Sequence, residues 1–149
     1  MLVLSKSFAV AVVLLVALFQ FATASVYSQL QFIKIVSPKN DQDIKRGQKL
    51  KVKYVMQPLI QDNHAAGRAA SLDINFHSRT GNKKQQQLAI IHKSCPVAAK
   101  DNKYVTYTKQ WTIPKNTKPG SYAVDFIEVV QGRRGRFTAT ETVKVNVVD

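Results

Sequence analysis

The chain has 149 residues, a formal net charge of +13 and a single cysteine. One cysteine excludes the internal disulfide framework that stabilises many small secreted domains. The excess of lysine and arginine favours anionic partners such as nucleic acid, acidic lipid, acidic polysaccharide or a negatively charged cell wall, although solubility is a second explanation of the charge.

The N-terminal segment has the pattern of a secretory signal. A lysine precedes the apolar run Phe8–Phe21, and the small residues "ATA" follow at 22–24. This pattern predicts cleavage before Ser25; the alternative is a membrane anchor, because the run is close to the ~17-residue lower limit for crossing a bilayer. We therefore expect residues 1–24 to be a signal peptide and residues 25–149 to form one secreted domain with no membrane span after cleavage.

The remainder of the chain is predicted to be β-structure. Apolar and polar residues alternate with a period of two, most clearly at 49–56, where Leu50, Val52 and Tyr54 share one face and lysines the other. Turn-forming residues separate seven such segments, "LQFIKIV", "KLKVKYVM", "LDINF", "LAIIH", "YVTYTKQWTI", "SYAVDFIEVV" and "RFTATETVKVNVV". Seven strands in a domain of about this length predict an immunoglobulin-like antiparallel β-sandwich.

Two local patterns depart from this regular alternation. Glu141 falls on the inward phase of the last strand, and a β-bulge near it would resolve the conflict. The stretch "HAAGRAA" at 64–70 predicts one helical turn between the second and third strands, which is too short to change the fold class.

The stretch "WTIPKNTKPGSY" predicts a structural corner. Trp111 ends the fifth strand, Pro114 stops its pairing, and Pro119-Gly120 turns the chain. Tyr122 follows at the start of the sixth strand, where the tyrosine of an immunoglobulin-type sandwich bonds back across the corner. A valine stands two residues later, where such sandwiches have a core cysteine, so aliphatic packing is expected to replace the disulfide.

Two stretches, "IVSPKNDQDIKRGQKLKVKY" at 35–54 and "WTIPKNTKPGSYAVDFIE" at 111–128, together resemble the immunoglobulin-like N-terminal domain of fungal cell-wall synthesis proteins. These Ser/Thr-rich GPI-anchored surface proteins are linked to β-1,6-glucan assembly and killer-toxin resistance. The matching residues are Ser37-Pro38, Gly47, Trp111-Thr112-Ile113-Pro114 and Pro119-Gly120-Ser121-Tyr122. Arg46 and Tyr54 stand where the family usually has tryptophan. The resemblance implies a secreted, wall-associated fungal domain and supplies no catalytic residue.

The residue types that carry catalysis or bind metals are scattered. His64, His77 and His92 lack the paired spacing of a zinc site, and His77 and His92 are predicted to be solvated or capping residues at strand ends. Asp73 and Asp125 fall on outward phases of separate strands, without a pattern that pairs them as acid and nucleophile. We expect no catalytic residue, metal or cofactor, and no enzymatic activity.

Cys95 has no activating partner in the sequence and precedes a proline. It is predicted to be a free, partly buried thiol, and an intermolecular disulfide is the alternative. A monomer is expected, with a Cys95-linked dimer as the alternative.

Sandwich topology predicts that the second-to-third, fourth-to-fifth and sixth-to-seventh connections gather at one end. The candidate anion-binding or partner-binding residues lie on these connections and are Arg133, Arg134, Arg136, Arg68, Lys100 and Lys103, with His64 nearby. The alternative is a polar hairpin tip that only resists aggregation. A second basic group is predicted at the opposite end, consisting of Lys39, Lys45, Arg46, Arg79, Lys83, Lys84, Lys115 and Lys118. Lys49, Lys51 and Lys53 are interpreted as an outer strand face.

These observations favour a secreted, non-enzymatic fungal protein that binds cell-wall polysaccharide or anionic wall components through its basic loops. The alternative is a small secreted effector or signalling-type protein that engages a host or surface macromolecule through the loop Arg133–Arg136; an enzyme accessory domain is a third. Nucleic acid is disfavoured, because the basic loops contain few aromatic residues on which bases could stack.

Overall fold

The architecture is an all-β sandwich. A computed structural model describes residues 30–61, 64–65, 67–79 and 87–149, so the predicted signal peptide and the basic turn at 80–86 lie outside the described residues. The strands are β1 Ile33–Ser37, β2 Gln42–Lys45, β3 Lys49–Met56, β4 Ile60–Gln61, β5 His64–Ala65, β6 Arg68–Ser78, β7 Gln87–His92, β8 Val105–Thr112, β9 Gly120–Gly132 and β10 Gly135–Val148. All seven predicted strands are present among them.

The strands form two main sheets. A three-stranded sheet has the order β1-β3-β8, and a five-stranded sheet has the order β2-β10-β9-β6-β7. The short strands β4 and β5 form a separate two-stranded sheet. The predicted sandwich of two stacked sheets is therefore confirmed.

One pairing differs from the predicted antiparallel arrangement. β2 lies parallel to the end of β10, with Gln42 opposite Val145 and Lys45 opposite Val148. Four residues connect β1 to β2 and carry the chain from the three-stranded sheet to the five-stranded sheet.

The core lies between the inward faces of the two sheets. Inward residues of β3 and β9 are buried, as the alternation predicts, and Tyr54, Phe76 and Phe126 are the largest of the fully buried side chains. The ring of Phe76 stacks on that of Tyr122, with centroids 5.0 Å apart and planes 5° from parallel, and also contacts Trp111 at 5.0 Å. The contact with Trp111 joins the two sheets, because Phe76 lies on β6 and Trp111 on β8, whereas Tyr122 lies on β9 in the same sheet as Phe76.

The corner that the sequence predicts has its hydrogen bond. Oη of Tyr122 donates to the carbonyl oxygen of Lys118 at 2.6 Å. Pro114 follows β8, and its carbonyl oxygen accepts from the N–H of Thr117 at 3.1 Å to form the turn. Tyr122 is buried, so its ring packs into the core while its hydroxyl fixes the connection.

Two local predictions were wrong. The ladder between β9 and β10 is continuous, with Glu141 directly opposite Phe126, so no bulge relieves the inward carboxylate. In place of a helical turn, β5 contains His64 and Ala65, and β6 begins at Arg68. Pairing of Arg68 with Gln131 of β9 gives this segment a strand partner, and that pairing outweighs the helical preference of its alanines.

Candidate functional site

The connections after β3 and before β8 lie side by side at one end of the sandwich. The N–H of Leu59 donates to the carbonyl oxygen of Lys100, and the N–H of Ile60 donates to that of Asp101, both at 3.0 Å. Two backbone hydrogen bonds therefore fix the loop bearing Lys100 against the loop that follows β3.

A close backbone approach brings the third connection to the same end. Gly67 has a φ of +123°, and a Cβ built on it would lie 2.6 Å from the carbonyl oxygen of Gln131. Only glycine fits this position without displacing the β9 backbone. The start of β6 therefore lies against the β9–β10 hairpin.

Between these connections is an open groove of about 600 Å³. Its lining residues are Leu59, Ile60, Gly67, Arg68, Asp101, Gln131, Gly132 and Arg133. Two predicted site residues, Arg68 and Arg133, therefore line one groove together with a carboxylate. Lys100 adjoins it through its backbone hydrogen bond to Leu59, and exposed Lys103 lies further along the same connection.

The remaining predicted arginines lie at the tip of the β9–β10 hairpin. Arg133 and Arg134 occupy the two-residue turn, and Gly135 follows with a φ of +136° that glycine adopts readily. Nε of Arg136 donates to Oε1 of Gln131 at 2.7 Å, which holds this guanidinium beside the groove wall. A second depression, of about 460 Å³, is lined by residues 132–137 and shares Gly132 and Arg133 with the groove.

Exposed apolar side chains accompany these cations, and sequence reasoning missed them. Phe137 is 49% exposed although it lies on the inward phase, and Ile60 is 43% exposed in the groove. Tyr104, just before β8, is 69% exposed. Alternation predicts on which side a residue lies, but it does not show where the opposing sheet ends. The exposed aromatics at this end are Tyr104 and Phe137, so among the described residues they are few, as expected.

The second predicted basic group is divided. The side chains of Lys39, Lys45 and Lys118 are exposed, whereas Arg46 forms an ion pair with Asp149. The Lys115 side chain packs beside Gly47. The aromatic residues exposed at the groove end have no counterpart among the described residues here. Lys83 and Lys84 lie outside the described residues, as does the side chain of His64.

A buried carboxylate is the least expected residue of the core. Glu128 of β9 is 0% exposed, and its Oε1 accepts from the N–H of Gln31 at 3.1 Å and that of Phe32 at 3.3 Å. Burial raises the pKa of this carboxyl, and the two backbone hydrogen bonds lower it by a smaller amount. Glu128 thereby holds the residues that lead into β1. Its inward phase in the sixth predicted strand was the available signal.

The prediction for His77 was wrong. His77 is buried on β6, where its Nδ1 lies 3.0 Å from the carbonyl oxygen of Ser78. Its Nε2 lies 2.9 Å from Oδ2 of Asp125, an ion-pair distance without hydrogen-bond geometry. Thr142 donates to the other oxygen of Asp125 at 2.6 Å. Strand pairing brings these residues together from β6, β9 and β10, which sequence spacing does not reveal.

Cys95 is a free thiol and is buried. Its N–H donates to the carbonyl oxygen of Leu72 at 2.8 Å, which fixes the connection that follows β7 against β6. Burial raises the pKa of the thiol to about 11, so little of the reactive thiolate is present at neutral pH. A disulfide to a second chain would first require this connection to open.

The described residues contain no cluster of three or more histidine, cysteine, aspartate or glutamate side chains able to hold a metal ion. Within the same residues, the chain forms no helix of the length and apolar character needed to cross a membrane.

Comparison with known proteins gives likeness in structure alone. No family model and no curated protein matches the sequence. Among solved structures, a β-glucosidase from Listeria innocua is 19% identical with a TM-score of 0.48, over 78% of this chain and 16% of that one. A Niemann-Pick type C2 protein from the Japanese carpenter ant is 10% identical with a TM-score of 0.46, over 83% of this chain and 99% of that one. A lytic polysaccharide monooxygenase from Streptomyces lividans is 14% identical with a TM-score of 0.41, over 74% of this chain and 59% of that one. At these values the likeness carries no functional argument.

Proposed function

We propose that this protein is a secreted, non-enzymatic fungal protein that associates with the cell wall by binding anionic polysaccharide at the groove end of the sandwich. The observation that carries the proposal is the groove that contains Arg68 and Arg133 and continues onto the arginine-bearing hairpin tip. The N-terminal signal pattern supports secretion, and the resemblance at 35–54 and 111–128 to fungal wall proteins supports the location.

The chemistry of the groove suits an acidic sugar unit. A guanidinium grips a carboxylate or phosphate through two parallel N–H groups, which a lysine ammonium does not do. Leu59, Ile60 and the exposed ring of Phe137 offer apolar surface to the C–H face of a pyranose. A concave site with apolar walls and a few charged groups is typical of small-ligand recognition.

The test is a pull-down of the purified protein on isolated fungal walls, insoluble β-glucan and chitin. The variant R133S/R134S/R136S removes three positive charges at the groove end, and the matched control K39S/K45S/K118S removes three at the opposite end. We expect the wild type and the control to be retained by walls and the arginine variant to be lost. About 0.5 M salt should release the wild type, because charges are screened within a few ångströms at that ionic strength.

Equal retention of the two triple variants would contradict the groove as the binding site. Retention by neutral glucan or chitin that persists at high salt would contradict the anionic character of the ligand. Far-UV circular dichroism on each variant checks that the sandwich is intact.

A second candidate function is a secreted effector that binds a host or surface macromolecule through the loop Arg133–Arg136. The exposed Phe137 beside three arginines favours it, because aromatic residues and arginine dominate the energetics of protein–protein interfaces. Salt-resistant binding to intact host cells that is lost in Phe137→Ala, together with no retention on fungal walls, would favour this candidate over the first.

A further inference from the structure

The two sheets differ in charge, which the order of residues along the chain conceals. The strands β1, β3 and β8 are described completely and contain five cations and no aspartate or glutamate; the cations are Lys34, Lys49, Lys51, Lys53 and Lys109. The five-stranded sheet contains five carboxylates and four cations; the carboxylates are Asp43, Asp73, Asp125, Glu128 and Glu141. The smaller sheet is therefore a separate basic surface.

The outer face of the smaller sheet presents its lysines as a row. Lys49 and Lys51 are exposed, and Lys53 is half-buried, on the central strand β3. Across the ladder from β3 to β8, Lys49 lies opposite Thr112, Lys51 opposite Gln110, and Lys53 opposite Thr108. The β8 residues of these pairs are exposed, so each lysine has a polar hydroxyl or amide neighbour on the same face.

This arrangement has a regular spacing. Alternate residues on a strand are separated by about 6.6–6.8 Å, and adjacent strands by about 4.8 Å. On β1, Lys34 lies opposite Val55 and extends the row beyond Lys53. The face is thus a flat strip with repeated positive charge along its length and hydroxyl groups along one side.

We propose that the outer face of the sheet β1-β3-β8 is a second binding surface, which takes a linear acidic polysaccharide lying along β3. Charge complementarity is the basis, because the strip repeats cations at a spacing suited to an extended polymer and places no carboxylate of its strands against it. This inference goes beyond the groove-end function and does not depend on it.

The composition of the face favours a polysaccharide over single-stranded nucleic acid. Sequence-tolerant binding of single strands uses aromatic side chains on which bases stack. The outward residues of β3 and β8 are lysine, valine, threonine and glutamine, and their aromatic residues Tyr54, Tyr107 and Trp111 lie on the inward phase. Threonine hydroxyls and the Gln110 amide offer hydrogen-bond donors and acceptors for sugar hydroxyls.

The experiment measures affinity of the purified protein for polygalacturonate, with dextran as the neutral polymer and oligothymidylate as the nucleic-acid polyanion. The variant K49S/K51S/K53S is compared with R133S/R134S/R136S, which removes the same charge from the groove end. We expect the lysine variant to lose about tenfold or more in affinity at low salt. The negative slope of log K against log salt should become shallower by about 2, since each lost ionic contact reduces the magnitude of that slope by somewhat less than one. The arginine variant should also lose affinity, because the groove binds acidic sugar units, but by a clearly smaller factor than the lysine variant, since the extended polymer makes its repeated contacts along β3.

Equal losses in the two variants would overturn the proposal, because only the net charge would then matter. Tighter binding of oligothymidylate than of polygalacturonate, with the same lysine dependence, would assign the face to nucleic acid instead. Since Lys49 and Lys51 point into solvent, the thermal unfolding midpoint should stay within a few degrees of the wild type, and this measurement identifies any loss that is caused by misfolding.

Discussion

The two halves of β10 have the same alternating pattern and different environments. In the C-terminal half, Val143, Val145 and Val147 are buried in the core. In the N-terminal half, Glu141 is half-buried on the same inward phase, and Phe137 is 49% exposed. One strand therefore contributes both to the core and to the candidate binding surface. Inward phase does not by itself ensure burial.

The neighbours of each half explain the difference. β2 pairs only with Val145–Val148 of β10, so within the described residues the earlier part of the strand has a partner on one side alone. The fall in burial along the inward face from Val143 to Phe137 shows that the three-stranded sheet no longer covers it there. Apolar side chains that the opposite sheet leaves uncovered can contact a ligand.

The largest effect on stability should come from removing a core aromatic ring that lies opposite the middle of β10, where its two halves meet. Phe126 lies directly opposite Glu141 and is fully buried, so Phe126→Ala should lower the free energy of unfolding by about 3–5 kcal/mol. Urea unfolding followed by tryptophan fluorescence measures the change. A loss below about 1 kcal/mol would show that the sandwich is loosely packed at this point.

A pH-dependent effect is expected at Glu128, which lies opposite Ala139 in the N-terminal half of β10. Burial raises the pKa of Glu128 in the folded state above its value in the unfolded chain. The resulting contribution to the free energy of unfolding is fully present below the unfolded-state pKa and is lost as the pH rises through the folded-state pKa. Glu128→Gln should therefore be at least as stable as the wild type at pH 7, and the two should converge near pH 4. Urea unfolding across this range tests the sign, and a wild type that gains stability over the variant as pH rises would contradict it.

A smaller effect is expected at the corner that anchors the covered end of the hairpin. Tyr122→Phe removes the hydrogen bond to the carbonyl oxygen of Lys118 and keeps the stacked ring, so it should cost about 1 kcal/mol. Thermal unfolding is a suitable measurement. Tyr107→Phe is a matched control, because it removes a 2.8 Å hydrogen bond to the Ala98 carbonyl oxygen outside the corner.

The smallest change in stability should come from the exposed half of β10. Phe137→Ala makes the same phenylalanine-to-alanine change as Phe126→Ala. It should change the free energy of unfolding by no more than about 0.5 kcal/mol, since the Phe137 side chain is half exposed. The same variant should weaken retention on wall material if Phe137 contacts the ligand. Comparable destabilisation by the two alanine variants would remove the distinction between the halves.

Much of the candidate site could be placed from the sequence because loops at one end of a sandwich follow from its topology. Arg68 and Arg133 were expected to meet, and the structure puts both in one groove. The contribution of Ile60 and Phe137 could not be predicted, because it depends on where one sheet stops covering the other. The contact of His77 with Asp125 depends on strand register, which spacing along the chain does not show.

The sequence by itself determined the seven longest strands, the phase of their alternation and the proline-glycine corner, because a period of two and restricted backbone angles are local properties. Only the tertiary structure decided the parallel position of β2, the burial of Glu128 and the separation of charge between the sheets. These features depend on which strands become neighbours, and that choice is made by packing between residues far apart in the chain.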